Sequence, residues 1–358
     1  MTILVTGGAG FIGTNFVLDW LKVSDEPIVN LDKLTYAGNL QNLQSIADNP
    51  KHEFVHGNIE DQALVASLLT DHRPGAIVHF AAETHVDRSI HGPEEFVQTN
   101  VVGTFLLLEA ALEYWRSLAD TDRDEFRLIN VSTDEVFGSL GPDDSPCTEE
   151  SRYAPNSPYS ASKAAADHLV RSYFHTYGLP VITTHCTNNY GPYQFPEKLI
   201  PLMTLNGTQG KSLPIYGDGK NIRDWLYVTD HCTALRSVLS NGKPGAVYNI
   251  AGNCEMTNLE VIDELCTQLD ELAPDDSGEP HRRLIEFVKD RPAHDRRYAL
   301  ATDKIEQELG WRPTETFASG IRKTVKWYLD NQAWLDDVSS GQYRQWLDIN
   351  YTQRAGAE

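Results

Sequence analysis

Thr6-Gly7-Gly8-Ala9-Gly10-Phe11-Ile12-Gly13 follows directly on the apolar run Thr2–Val5 and holds the spacing G-x-G-x-x-G at Gly8, Gly10 and Gly13. Glycines so placed between a strand and a helix permit a tight turn, let the backbone approach a pyrophosphate, and set the anion on the helix amino terminus. A second apolar run, Ile28–Asp32, ends on a carboxylate about 20 residues further on. A carboxylate there accepts hydrogen bonds from adenosine ribose hydroxyls and repels a 2′-phosphate, which favours NAD over NADP. Asn58-Ile59 is placed to flank an adenine, and the small residues of Phe80-Ala81-Ala82 let a cofactor pass a strand end.

Outward from this loop the first 190 residues alternate β-rich apolar runs with stretches of helical period. That alternation marks an α/β fold, a Rossmann-type doubly wound parallel sheet covered on both faces. Strands are expected at Thr2–Val5, Ile28–Asp32, Glu53–His56, Ala76–Ala81, Arg127–Ser132 and Val181–Cys186, with helices over Gln98–Trp115 and Ser160–Tyr177. Past residue 190, Pro and Gly punctuate segments that include strands Leu213–Tyr216 and Val247–Ala251. The expected organisation is a cofactor-binding domain over 1–190, with returns near 213–252, and a smaller mixed α/β carboxy-terminal substrate lobe, discontinuous, over 191–358. Asp120–Glu125 and Asp270–Glu279 read as solvated acidic loops.

The chain carries 51 acidic against 30 basic side chains, a formal charge of −21. A surface so acidic argues against nucleic acid or anionic lipid as a partner. No stretch reaches the roughly 20 apolar residues of a membrane span, and the start at Ile3-Leu4-Val5 has no charged leader, so a cytoplasmic protein is expected. Cys147, Cys186, Cys232, Cys254 and Cys266 are too scattered for a zinc pattern and read as reduced thiols, with no metal expected. The charge balance reverses locally: between His281 and Arg297 stand Arg282, Arg283, Lys289, Arg291, Arg296 and Arg297 against three acids.

Tyr159 and Lys163 form Y-x-x-x-K, a spacing that puts both side chains on one helical face. An ammonium beside a phenol favours the phenolate, so the tyrosine is a candidate base toward a sugar hydroxyl. Ser132-Thr133, at the end of a preceding strand, would add a hydroxyl, and Asp134-Glu135 follows at once. Two carboxyl groups with separated pKa values suit paired acid and base work.

Through the Thr6–Gly13 loop, Asp32, Thr133 and Tyr159/Lys163, the chain resembles the extended short-chain dehydrogenase/reductase superfamily along essentially its whole length. Val131-Ser132-Thr133-Asp134-Glu135-Val136-Phe137-Gly138 is similar to the nucleotide-sugar 4,6-dehydratases. Ala81–Ser89, Asn188–Pro192, Pro196–Pro201, Asn221–Trp225 and Asp290–Asp295 match further blocks of that family. The resemblance implies NAD as cofactor, a nucleotide-sugar substrate, dTDP-glucose foremost, and a homodimer built through a four-helix contact. Tyr159 would take the C4 hydroxyl proton, Glu135 the C5 proton, and Asp134 would expel water, giving a 4-keto-6-deoxy sugar for deoxysugar synthesis such as that of rhamnose. By the same resemblance Gly7, Gly10, Phe11, Ile12, Gly13, Asp32, Lys33, Leu34, Thr35, Asn58, Ile59, Phe80, Ala81, Ala82, Glu83, Thr99, Tyr159, Lys163 and Asn189 would hold the cofactor. Thr84, Thr133, Asn188, Lys198, Leu199, Pro214, Tyr216, Arg223, Asn258, Arg291, His294 and Tyr351 would line the substrate site, with Arg223 and Arg291 on the diphosphate. Where the family carries Asp-Ile, this chain has Asn58-Ile59, so a charge near the adenine is lost. UDP-glucose or another nucleotide hexose is the alternative substrate, and a non-catalytic NAD-binding scaffold the alternative of another class. A sugar epimerase shares the fold but leaves the carboxylate pair unexplained.

Overall fold

A computed structural model describes residues 2–290 and 294–338. In chain order come β1 (Ile3–Thr6), α1 (Phe11–Val23), β2 (Ile28–Asp32), β3 (His52–His56), α2 (Gln62–His72), β4 (Ala76–His79), α3 (Val86–His91), α4 (Pro93–Phe96), α5 (Thr104–Ser117), α6 (Asp120–Glu125), β5 (Arg127–Thr133), α7 (Pro158–Tyr177), β6 (Val181–Cys186) and β7 (Asn188–Tyr190). Then follow α8 (Leu199–Thr208), β8 (Leu213–Tyr216), β9 (Ile222–Tyr227), α9 (Val228–Asn241), β10 (Val247–Ile250), β11 (Glu255–Thr257), α10 (Asn258–Leu272), β12 (Ile285–Val288), α11 (Asp303–Leu309), α12 (Phe317–Asp330) and α13 (Gln332–Val338).

Seven strands form one parallel sheet in the order β3-β2-β1-β4-β5-β6-β10. Because side chains alternate across a strand, Ile3 and Val5 enter one core with Phe16, Val17 and Trp20 of α1 and Leu235 and Val238 of α9. Leu4 enters the opposite core with Val65 and Leu68 of α2, Leu107 and Leu108 of α5, and Val170 of α7. These strands are buried on both faces, hence their unbroken apolar runs. A second body forms around Tyr190, Met203, Ile215, Trp225, Leu265 and Val325, with the small sheets β7-β9-β11 and β8-β12. The returns expected near 213–252 divide: β10 joins the seven-stranded sheet beside β6, whereas β8 pairs with β12.

The sequence and the structure differ in several places, among them residues 270–272, read as loop, which close α10. The expected strand Ala76–Ala81 ends at His79. There the chain turns aside so that Phe80–Ala82 lines the crevice opposite the glycine loop. The expected helix Gln98–Trp115 is α5 extended backward by a π-helical stretch, Val97–Gly103. Asn100 in that stretch donates to the Glu83 carbonyl (3.0 Å) and Ser162 Oγ (2.9 Å), and accepts from the Glu83 N–H (2.8 Å), which ties it to the crevice wall. Asp120–Glu125 is the short helix α6 and not a loop. The five cysteines are free thiols, all buried except the half-buried Cys254.

Candidate active site

In a doubly wound sheet a ligand crevice opens at the carboxyl ends of the strands, where the strand order reverses. Here that point lies between β1 and β4, and a cavity of about 290 Å³ runs from it toward the end of β5. Gly7 has a φ of +76°, and a Cβ there would fall 2.5 Å from the Ala81 nitrogen. At Gly13 a Cβ would meet the Gly7 carbonyl oxygen at 2.3 Å. The loop therefore requires glycine on both counts, conformation and space. Its last glycine before the helix, Gly10, caps α1 without a side-chain hydrogen bond, so the helix amino terminus faces the cavity through backbone alone.

Asp32 is buried and its two oxygens accept from Ala9 N–H (2.9 Å) and Leu34 N–H (2.8 Å). Burial raises its pKa and these two N–H groups oppose the rise. Each carboxylate oxygen keeps further acceptor capacity for a hydroxyl. All the residues expected to hold a cofactor line this cavity except Leu34, whose side chain packs against the core. Asn58 lines it while closing a turn on Glu60, accepting from its N–H at 3.1 Å.

Thr133, Asp134, Glu135, Tyr159 and Lys163 meet at the cavity's other end. Thr133 closes β5 and caps the short 3-10 turn Asp134–Phe137, accepting from Glu135 N–H at 3.3 Å. Tyr159 and Lys163 enter from the first turns of α7, which starts at a Ser157/Ser160 capping box with Pro158 at its first position and ends on left-handed Gly178. Asp134 is buried; Thr133 Oγ1 donates to its Oδ1 at 3.2 Å, and its Oδ2 has no partner among the described residues. Burial, then the Glu135 charge beside it, push its carboxyl up to about 8. It therefore carries its proton at neutral pH, as a general acid must.

Tyr159 and Lys163 differ from expectation. The phenol is pushed well above its ordinary value by burial and then by Glu135, against an opposing hydrogen bond with Thr133. Lys163 Nζ donates to the Val131 carbonyl at 2.9 Å, and burial lowers its pKa. Within the chain's own groups the balance thus favours the phenol, because burial and a nearby carboxylate both raise its pKa.

Of the substrate-site expectations, Thr84, Asn188 and Lys198 line the same cavity, with Lys198 Nζ donating to the Thr84 carbonyl at 3.2 Å. Leu199, Pro214, Tyr216, Arg223, Asn258 and His294 do not line it. Arg223 nonetheless acts on the site from behind, its charge lowering the Asp134 pKa. Its guanidinium lies 4.5 Å over the Tyr298 ring and donates to the Asp295 carbonyl at 2.9 Å. Tyr216 and His294 meet edge to face at 6.2 Å, beside Asp290. Arg291 and Tyr351 lie outside the described residues. The basic segment is compensated by contacts: Arg282 pairs with Asp263, Arg283 with Asp275, Arg296 with Asp218 and Arg297 with Glu255. Among the described residues of the segment, these four arginines are therefore already paired with carboxylates.

Sequence reasoning missed Cys186, Gln194, Phe195 and Glu197 in the cavity wall. Glu197 is buried against Arg88 Nε (3.3 Å), whose guanidinium lies 3.6 Å over Tyr36. It stands between the flagged Pro196 and Lys198, which was the available signal.

A family model described as GDP-mannose 4,6 dehydratase matches residues 4–324. The chain is 58% identical over 343 residues to a dTDP-glucose 4,6-dehydratase of Xanthomonas campestris pv. campestris, spanning 96% of this chain and 97% of that one. With dTDP-glucose 4,6-dehydratase 1 of Escherichia coli it shares 52% identity over 362 residues, 99% of this chain and 100% of the other. Among solved structures, DesIV, a dTDP-glucose 4,6-dehydratase from Streptomyces venezuelae with NAD and TYD bound, is 47% identical with a TM-score of 0.85, covering 94% of this chain and all of that one. A UDP-glucose 4-epimerase from Thermotoga maritima reaches a TM-score of 0.80 at 27% identity, covering 93% of this chain and all of its own. No helix among the described residues is long and apolar enough to cross a membrane.

Proposed function

The chain belongs to the GDP-mannose 4,6 dehydratase family, and from that premise we propose that it is a dTDP-glucose 4,6-dehydratase, a hydro-lyase that uses NAD and leaves it unchanged. The observation that carries the reading is Asp134, a neutral acid held beside Glu135 at the far end of a dinucleotide crevice. An epimerase of the same fold needs no such pair.

The chain's own groups fit NAD. The glycine cradle leaves no room for a Cβ against Ala81, the uncapped α1 terminus suits a pyrophosphate, and Asp32 suits a ribose diol while repelling a 2′-phosphate. Gly7, Gly10, Phe11, Ile12 and Gly13 would hold the pyrophosphate, Asp32 to Thr35 with Asn58 and Ile59 the adenosine, and Phe80 to Glu83, Thr99, Lys163 and Asn189 the remainder. Bound NAD supplies the acceptor for hydride from C4 and gives it back at C6.

Tyr159, once its own phenol proton has left, takes the proton of the C4 hydroxyl as that carbon becomes a ketone. The Lys163 ammonium and the positive charge that bound NAD would bring favour that phenolate, against the burial and the Glu135 charge that favour the phenol. The ketone acidifies the C5 proton, which Glu135 removes. Asp134 gives its proton to the C6 oxygen, which leaves as water, and Glu135 returns its proton to C5 as hydride reaches C6. Tyr159 ends one proton richer and Asp134 one poorer; Thr133, hydrogen-bonded to both, bridges them.

Thr84, Asn188 and Lys198 contact the hexose side, Arg223 the diphosphate, and Leu199, Pro214, Tyr216, Asn258 and His294 the outer, nucleotide side. In this reading the seven-stranded body, with α9 and α11 packed on it, is the NAD-binding part and the rest of the chain after residue 190, without β10, the substrate lobe. A homodimer is supported by apolar side chains left on its helices, Val97 and Phe105 at 51% and 39% exposure and Tyr177 at 44%. Five free thiols suit a reducing cytoplasm.

The test is incubation of purified protein with dTDP-glucose and, separately, UDP-glucose, followed by mass spectrometry. Loss of one water from dTDP-glucose with no net change in NAD is expected. Unchanged substrate mass sinks the dehydratase reading, and equal turnover of both sugars sinks the base preference.

A further inference from the structure

Behind the catalytic end of the cavity, on the side away from it, lies a buried polar cluster that the proposed chemistry does not use. Its centre is Asp167, one turn beyond Lys163 on α7 and buried. Asp167 Oδ1 accepts from Asn130 Nδ2 at 2.8 Å, and Oδ2 from Ser132 Oγ at 2.7 Å. Oδ2 also accepts from Tyr153 OH at 3.3 Å and lies 3.3 Å from His185 Nε2. Asn130 and Ser132 flank Val131, and the Val131 carbonyl is what Lys163 Nζ donates to. One carboxylate therefore grips β5 on both sides of the residue that seats the ammonium, and it stands at the i+4 distance from that ammonium on the same helical face.

The charge balance around Lys163 singles out the same group. His79 on β4 faces it but is neutral, its pKa held down to about 3 by burial and then by the Lys163 charge. The Cys186 thiol on β6 is pushed up to about 12 by burial and then by Asp134, so it carries no charge at neutral pH. Tyr159 on the same helix is held as a phenol. Burial lowers the Lys163 pKa, and the Asp167 charge opposes that fall. An anionic neighbour makes a buried ammonium harder to deprotonate.

We propose that Asp167 is the positioning residue of the reaction: it keeps Lys163 cationic and fixes β5 under it, so that the catalytic ammonium and the Thr133 hydroxyl hold their places together. The inference rests on the dehydratase reading for its meaning and not for its test. Asp167 touches neither substrate nor cofactor; its effect passes through Lys163.

The experiment compares the parent, Asp167→Asn, Asp167→Glu and Tyr153→Phe as purified holoproteins. Turnover of dTDP-glucose is followed from pH 6 to pH 10, and the Lys163 ammonium by heteronuclear NMR of lysine-labelled protein. Asp167→Asn should move the Lys163 titration profile at least about one pH unit lower, a tenfold change in the proton equilibrium, and lower kcat; the alkaline fall of kcat itself is set first by Asp134. Asp167→Glu should restore the parent profile, and Tyr153→Phe, which removes one hydrogen bond and no charge, should leave it in place. A uniform loss in Asp167→Asn with an unmoved profile, or an equal shift in Tyr153→Phe, overturns the proposal. If Asp167→Asn does not fold, the Lys163 titration in Asp167→Glu decides: parent-like upholds it, and a value lowered by a unit or more overturns it. A parent that does not dehydrate dTDP-glucose defeats the functional reading alone, because the ammonium titration still reports on Asp167.

Discussion

Replacing Asp134 by Asn should make the protein more stable and nearly inactive, and the size of the gain should depend on pH in a defined way. The carboxyl is pushed up to about 8 in the fold from an ordinary value of 3.8. A folded-state value raised for an acid means that folding takes up a proton between those limits, so stability falls as pH rises through that window. The slope is about 1.4 kcal/mol per pH unit for one fully coupled group. Three units separate pH 7 from the unfolded value, which sets an upper bound of about 4 kcal/mol. Asn matches the shape of the neutral acid and has no charge to bury; Oδ2 lacks a partner already, so no hydrogen bond among the described residues is lost there. We expect at least about 2 kcal/mol of gain at pH 7, shrinking toward zero near pH 4. Denaturant unfolding of both proteins at pH 5, 6, 7 and 8 measures it. A difference that is flat with pH, or a variant less stable than the parent at pH 7, would refute the reasoning. In the same variant kcat should drop by about 10²- to 10⁴-fold, the usual worth of a positioned acid, and the parent's own kcat should fall above about pH 8 as Asp134 loses its proton.

Glu135→Gln should still reduce bound NAD when dTDP-glucose is added, yet release no water; full turnover by this variant would remove Glu135 as the C5 base. Because Glu135 is the second cause of the raised Asp134 value, the same change should end the fall of stability with pH at a lower pH, seen in the unfolding series. Gly7→Ala should cost roughly 1–3 kcal/mol through its left-handed backbone and block NAD retention, since the new Cβ meets Ala81; NAD carried through purification at the parent level would contradict it. Arg282→Ala, which breaks a mostly exposed pair with Asp263, should leave the KM for dTDP-glucose unchanged while Arg223→Ala raises it at least tenfold; matched effects would restore the basic segment as the anion site. Phe105→Glu should yield monomers by sedimentation if α5 forms the dimer contact, and an intact dimer would exclude that face.

What was legible in the sequence is what backbone geometry demands. Gly7 and Gly13 cannot be anything else where β1 meets α1, so the loop announces the crevice. Tyr159 and Lys163 share a face because one helical turn separates them, and Thr133 sits opposite because β5 ends beside the start of α7. The Tyr153, Asp167 and His185 cluster was not legible: its members come from a loop, a helix and a strand, and no spacing marks residues that meet only through packing. The direction of the Tyr159 shift was hidden for a like reason, since a four-residue spacing counts the ammonium but not the burial or the Glu135 charge that raise the phenol's pKa. The π-helical turn at Val97–Gly103 has an ordinary helical pattern, and no spacing in it marks the bonds that Asn100 makes to Glu83 and Ser162.

The charge of the chain shows the same limit most sharply. A window count finds a positive stretch between His281 and Arg297, but four of its arginines are answered by Asp263, Asp275, Asp218 and Glu255, all of them outside that window. Counting along a chain adds charges; folding pairs them. An acidic protein that handles polyanions must therefore rely on groups that carry little formal charge or that are set apart from carboxylates. The glycine loop does the first, with backbone N–H groups at a helix terminus. Arg223 offers a cation of another kind, stacked on Tyr298, donating to the backbone carbonyls of Ile222, Asp295 and Arg296, and with its charge felt by Asp134. If Arg223 holds the diphosphate as proposed, the same cation also limits how far the Asp134 pKa is raised, which would couple anion binding to proton donation at one residue.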